Sequence, residues 1–253
     1  MTAQPTIMPG AEPFSATGDR RGALVLHGFT GCPQSMRPLG QALAAAGFTV
    51  DLPRLPGHGT TVEDMASYAW RDWAEAADAA YRALAARTDG IVVAGLSMGG
   101  ALTLWLAERH PEIKGIVLIN PAAEVDDFGA LADGVKGMLA AGQTFMPGVA
   151  GDIADPNSKE LGYDRVPLAC MVSLIDGLRT LKPLLPQIKM PALLLHSVQD
   201  HVVPPGSPKL LRETLGGPVD YVALEKSYHV ATIDYDGPEI NQRTVAFAER
   251  VSG

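Results

Sequence analysis

Residues 91–107 read I-V-V-A-G-L-S-M-G-G-A-L-T-L-W-L-A. A β-branched apolar run, Ile91-Val92-Val93, leads into Gly95-Leu96-Ser97-Met98-Gly99-Gly100. A helix-forming run then continues to Pro111, which stops it. The centre is G-x-S-x-G with a buried strand before it and a helix after it, the context this motif needs. Reversing from strand to helix within one residue forces that residue into a strained backbone conformation. Gly95, Gly99 and Gly100 have no side chains to clash, so the turn can close and lift the Ser97 hydroxyl out at the helix N-terminus. There the free N–H groups and the positive end of the macrodipole favour a developing anion. The competing reading is a glycine-rich turn whose serine only caps the helix.

Working outward, strands alternate with helices on both sides of this unit. Upstream, residues 23–26 (A-L-V-L) read as a short buried strand and 27–31 (H-G-F-T-G) as a turn. Residues 35–46 have helical composition ended by Gly47, 48–52 read as a second strand, and 53–59 as a loop. Residues 68–87 are amphipathic and helical, with Trp70, Trp73, Ala77 and Tyr81 on one stripe. Downstream, 115–119 (G-I-V-L-I), 192–196 and 219–224 read as strands, and 207–215 and 238–251 as helices. The pattern predicts an α/β fold: a mostly parallel sheet of about six to eight strands, covered by helices on both faces. Residues 1–13, Pro-rich and polar, read as a loosely held arm.

Between 121 and 190 the alternation breaks. This stretch lacks clear strands, is rich in Gly, Pro and Met, and holds a few short helical segments. It is too long for a plain loop. It also follows a strand's carboxyl end, where open α/β sheets place their ligand sites. It reads as an inserted cap, or lid, on a core domain made of residues 1–120 and 191–253.

Bulk properties narrow the class. With 253 residues, 47% of them hydrophobic, the chain can bury a large core. A net charge of −8 without Lys/Arg clusters argues against nucleic acid as a partner. Two cysteines, Cys32 and Cys170, make no disulfide framework and read as free thiols. The first residues show neither a basic nor an apolar region of a signal peptide, and no uncharged apolar run approaches ~18 residues. The expectation is a cytoplasmic monomer or homodimer without stable membrane insertion.

A serine hydroxyl needs a base to take its proton, and the base needs a third group to hold its tautomer. Of six histidines, His229 sits in K-S-Y-H-V, directly after the last strand. Asp200 sits in S-V-Q-D-H, directly after the preceding strand. Both therefore emerge at the sheet's carboxyl edge with Ser97. His27 follows a central strand and better suits support of the adjacent turn. His58 lies between glycines as a loop residue, His110 ends a helix, and His201 is too near Asp200 in sequence to partner it. Asp176, Asp234 and Asp236 are rival acids. His196, Asp200 and His201 match no zinc spacing, so no metal is expected. A tetrahedral intermediate needs two donors. The Met98 N–H, just after the nucleophile, and the Phe29 N–H, in the loop after the first strand, are in position.

The chain order Ser–Asp–His is that of α/β-hydrolases. H-G-F-T-G, L-P-x-L-x-G-H-G-T, G-L-S-M-G-G, D-x-V-V-P-P and S-Y-H-V-A-T-x-D together resemble the bacterial monoacylglycerol lipase and small carboxylesterase group of that superfamily. The resemblance covers nearly the whole chain from Gly22 to Val251. It implies ester hydrolysis through an acyl-enzyme, with Ser97, Asp200 and His229 as triad, Phe29 and Met98 as oxyanion donors, and no cofactor. It also implies that Glu160, in D-P-N-S-K-E, faces the polar end of a small acyl ester substrate. Thioesterase, acyltransferase, C–C bond hydrolase, cofactor-free haloperoxidase and non-enzymatic small-molecule binder share the same scaffold and stand as alternatives. Selectivity must come from what covers the reacting centre. Within 121–190, Met138, Leu139, Phe145, Met146, Val149, Met171, Leu174, Ile175 and Leu178 are candidates for an apolar channel or for plain packing.

Overall fold

The apolar runs become a seven-stranded sheet in a computed structural model that describes residues 5–124, 129–148 and 150–253. The chain runs β1 (Phe14–Ala16), β2 (Arg21–Leu26), α1 (Arg37–Ala45), β3 (Thr49–Leu52), α2 (Val62–Met65), α3 (Trp70–Ala85), β4 (Gly90–Leu96) and α4 (Met98–Arg109). It continues through β5 (Gly115–Ile119), α5 (Gly129–Ala140), β6 (Phe145–Pro147), β7 (Arg165–Pro167) and α6 (Leu168–Leu181). It closes with β8 (Ala192–Ser197), α7 (Gly206–Thr214), β9 (Val219–Leu224) and α8 (Gly237–Ser252). Strand order is β1-β3-β2-β4-β5-β8-β9, all neighbours parallel except the β1–β3 pair.

The central strands are apolar on both faces because both are covered. Alternate residues point to opposite sides. Leu24, Leu26, Val93, Leu118 and Leu194 pack with Trp73 of α3, Leu102 of α4 and Leu178 of α6. Val25, Val50, Val92, Val117 and Leu195 pack with Leu39 and Leu43 of α1 and Phe247 of α8. The predicted stripe on α3 holds: Trp70, Trp73, Ala77 and Tyr81 are all buried.

Two expectations need correction. The amino-terminal arm is seated from Met8 onward: the Met8 N–H donates to Gly59 O at 2.8 Å, Ala11 is buried, and β1 extends the sheet. The 121–190 stretch does contain strands, the antiparallel pair β6–β7. Each has only three residues, too few to show a period of two.

Residues 121–190 are bonded to the rest of the chain at several points. Tyr163 Oη donates to Gly57 O at 2.7 Å and accepts the Thr60 N–H at 2.8 Å. Ser173 Oγ of α6 accepts the Trp70 N–H at 3.0 Å. Gly177 lies flat on the Trp70 indole, where a Cβ would come within 2.4 Å of the ring. Among the described residues no helix is long and apolar enough to cross a membrane.

Candidate active site

Ser97 joins β4 to α4 with φ 57° and ψ −117°. A non-glycine residue at such angles costs about 1–3 kcal/mol and persists only where its surroundings over-determine it. Here they do. The Ser97 N–H donates to Ile119 O at 3.0 Å, and its carbonyl accepts the N–H groups of Ala101 and Ala122 at 3.1 and 3.2 Å. The glycines allow the approach. A Cβ on Gly95 would sit 2.1 Å from Gly99 O, and one on Gly99 would sit 2.2 Å from Leu26 O.

The loops after β8 and β9 bring Asp200 and His229 together. His229 Nδ1 donates to Asp200 Oδ2 at 2.8 Å, and the two side chains are 8% and 2% exposed respectively. Asp200 Oδ1 accepts the N–H groups of Val202 and Val203 at 2.8 and 2.9 Å. Burial pushes the Asp200 pKa up. The hydrogen bond and charge of His229, with the two N–H groups, outweigh that and hold it below the usual carboxylate value. With Nδ1 donating, the free lone pair of the imidazole is on Nε2.

The rival acids are engaged elsewhere. Asp176 pairs with Arg179. Asp234 is buried and accepts four backbone N–H groups, from Ala154, Asp155, Tyr228 and Tyr235. Asp236 accepts those of Lys226 and Ser227. Other histidines have partners of their own. His201 bonds Asp152 rather than Asp200, and His110 pairs with Asp78. Among the described residues no cluster of three or more His, Cys, Asp or Glu side chains is placed to hold a metal ion. Cys32 and Cys170 are free and buried, and burial raises both thiols to about 11.

One residue that sequence reasoning missed locks the loops. Asn120, buried with φ 41°, directly follows β5. Its Oδ1 accepts the Ser197 N–H at 2.7 Å, and its Nδ2 donates to Ser197 Oγ at 2.9 Å and His229 O at 2.8 Å. The signal available was a polar side chain directly after a fully apolar strand at the carboxyl edge.

On the opposite side lies the turn after β2. His27 is buried; its Nε2 accepts the Leu55 N–H at 3.1 Å, which leaves Nδ1 to donate to Gly28 O at 3.0 Å. Burial lowers the His27 pKa to about 4, so the ring is neutral near pH 7. His58 packs edge-on against His27, Phe29 and Trp73, and burial also lowers its pKa. Among the described residues, neither the Phe29 N–H nor the Met98 N–H has an acceptor within the chain.

Ser97 and His229 share the wall of one cavity of about 120 Å³. Gly28, Phe29, Thr30, Leu96, Ala122, Ala150, Val202, Val203 and Val230 line it from the sheet edge and the adjoining loops, and Met171, Leu174, Ile175 and Leu178 from α6. Glu160 is the acidic member of the lining. Burial raises its pKa above the usual glutamate value, only partly offset by the Gly151 N–H, bonded to Oε2 at 2.8 Å, and the charge of His229. Phe145 and Met146 lie in β6, outside the lining, and Val149 lies outside the described residues.

A strained serine and an aspartate-braced imidazole lining one cavity at the carboxyl edge of this parallel sheet are the parts of a serine hydrolase on an α/β-hydrolase fold. The family model described as serine aminopeptidase, S33, matches residues 19–236, and the chain belongs to that family. It is 43% identical, over the full length of both chains, to a thermostable monoacylglycerol lipase of Bacillus sp. (strain H-257). It is 26% identical to a carboxylesterase of Bacillus subtilis (strain 168), over 95% of this chain and 97% of that protein. Among solved structures, a metagenome-derived lipolytic enzyme superposes with a TM-score of 0.91 at 43% identity, covering 97% of this chain and 100% of that one.

Proposed function

We propose that the protein hydrolyses monoacylglycerols and similar small carboxylic esters, with Ser97 as nucleophile, His229 as base and Asp200 as its orienting acid. The observation that carries this is that Ser97 and the Asp200-braced His229 line the same cavity, beside an apolar wall. His229 Nε2 takes the Ser97 proton as Oγ attacks the ester carbonyl. The oxyanion accepts the N–H groups of Phe29 and Met98. As the acyl–oxygen bond breaks, His229 returns the proton to the departing alcohol. Water then attacks the acyl carbonyl, giving up a proton to His229, which passes it to Ser97 Oγ as the acyl–Oγ bond breaks and the acid leaves.

Residues 121–190 act as the cap in this reading. Met171, Leu174, Ile175 and Leu178 contact the acyl chain, and flexible Met171 suits chains of different length. Glu160 accepts hydrogen bonds from glycerol hydroxyls. The test compares monoacylglycerols with matched methyl esters on the native protein and on Glu160→Ala. The variant should lose monoacylglycerol kcat/KM by about tenfold while methyl-ester turnover holds, the loss of one hydrogen bond. Equal loss on both substrates removes Glu160 from head-group recognition, and absence of ester hydrolysis removes the function.

A further inference from the structure

Asp152 belongs to the insertion, yet its carboxylate reaches both loops that carry the acid and the base. Oδ2 accepts the His229 N–H at 3.0 Å and the His201 N–H at 3.2 Å, and Oδ1 accepts His201 Nδ1 at 2.8 Å. The Asp152 carbonyl accepts the Val230 N–H at 3.0 Å. His201 stands between Asp200 and Val202, whose N–H group holds the Asp200 carboxylate. One side chain thus ties the flank of the acid to the backbone of the base.

The backbone of His229 is held from two sides. Its carbonyl accepts Asn120 Nδ2 at 2.8 Å, and its N–H donates to Asp152. Two anchors on one residue's backbone leave only the side-chain torsions of His229 free. Asp200 fixes these through Nδ1. Asn120 belongs to the sheet and Asp152 to the insertion, so half of this clamp is supplied from outside the sheet unit.

We infer that Asp152 is a positioning residue: through it the insertion sets the height and aim of His229 over Ser97. The inference rests on the acyl-enzyme reading above. The geometry separates this role from merely seating the insertion. Asp234 does the seating, accepting the N–H groups of Ala154 and Asp155 at 2.8 and 3.0 Å, and it does not depend on the Asp152 side chain. Loss of the Asp152 carboxylate frees one side of the His229 backbone while the segment stays docked.

The experiment measures kcat and KM for p-nitrophenyl butyrate, and the rate of fluorophosphonate inactivation, on native protein, Asp152→Ala and Asp152→Asn. A misplacement of ~1 Å at a reacting group can cost about 100-fold. Asp152→Ala should lose kcat by roughly 10- to 100-fold with KM within about threefold, and inactivation should slow in parallel. Asp152→Asn keeps an oxygen for the two N–H groups and offers its amide to His201 Nδ1, so it should recover to within about fivefold of native kcat. If Asp152→Ala does not fold, Asp152→Ser, too short to hold both loops, takes its place under the same criterion. Native-like kcat in the Ala variant, a loss confined to KM, or an Asn variant no better than Ala would each overturn the inference. A native protein that neither turns over ester nor takes the label overturns the acyl-enzyme reading instead, and this inference with it.

Discussion

Replacing Asp200 by Asn separates charge and tautomer from shape, and the structure dictates how the new amide must sit. Oδ1 of Asp200 faces two donors, the N–H groups of Val202 and Val203, and Oδ2 faces one, His229 Nδ1. An NH₂ pointed at two N–H groups would leave three donors facing one another in a buried pocket, at a cost of about 1–3 kcal/mol for each unsatisfied group. The amide oxygen therefore takes the Oδ1 position, and the NH₂ is forced against His229 Nδ1. Nδ1 must then accept, which moves the imidazole proton to Nε2, the nitrogen that has to receive the Ser97 proton. The loss should approach 10⁴ in kcat, about 5 kcal/mol of barrier, with the fold and KM little changed. The assay is kcat and KM on a p-nitrophenyl ester at neutral pH, beside Asp200→Ala, which leaves the tautomer free. Asp200→Asn should be at least as impaired as Asp200→Ala. An Asn variant clearly more active than Ala, or one retaining more than about a tenth of native kcat, would refute the tautomer argument.

The cavity sets the next expectation. A space of about 120 Å³ is slightly smaller than one of ~150 Å³ that holds benzene, so a chain of roughly four to six carbons fills it. Each methylene is worth about 0.8 kcal/mol, so kcat/KM should rise roughly fourfold per carbon from acetate to that length and then level off; a steady fall from acetate onward contradicts the apolar channel. Acid should destabilise the protein through His27. Its folded pKa of about 4 lies below the ordinary 6.5, so its contribution is complete above pH 6.5 and falls as the unfolded chain gains a proton that the native state refuses. Stability should drop by at most ~1.4 kcal/mol per pH unit from this residue between those values. Urea unfolding at pH 7 and pH 4.5 should show a shallower pH slope in His27→Asn than in native protein, and equal slopes would contradict the assignment.

The parts of the fold that were legible carry strong local chemistry. Residues 115–119 (G-I-V-L-I) are an unbroken apolar run and 219–224 (V-D-Y-V-A-L) a mostly β-forming one behind Gly217-Pro218, and β5 and β9 occupy those positions. The Gly–Ser–Gly turn was legible because close approach leaves room for no other residue at 95 and 99. Asp200 and His229 could be placed because each follows a strand, and parallel strands deliver their loops to one edge. β1, β6 and β7 escaped notice because three residues show no period. The devices that aim the loops were equally hidden. Asn120, Asp152 and Asp234 act on backbone N–H and C=O groups far along the chain, and such partners leave no residue pattern. Val202 and Val203 stand in the sequence only as part of D-x-V-V-P-P, yet they serve twice, their N–H groups bonding Asp200 while the residues line the cavity.

The central claim is that Ser97, lifted from its strained turn and served by His229, is the nucleophile. A fluorophosphonate probe reports this directly, because it bonds only to a serine whose proton a neighbouring base removes. Intact-mass analysis of the native protein should show a single adduct, mapped by peptide digestion to Ser97, with ester hydrolysis lost in proportion to labelling. The folded Ser97→Ala variant should take no label and lose about 10⁴–10⁶ in kcat. Undiminished labelling of the variant, or a native adduct at any other residue, would contradict the account.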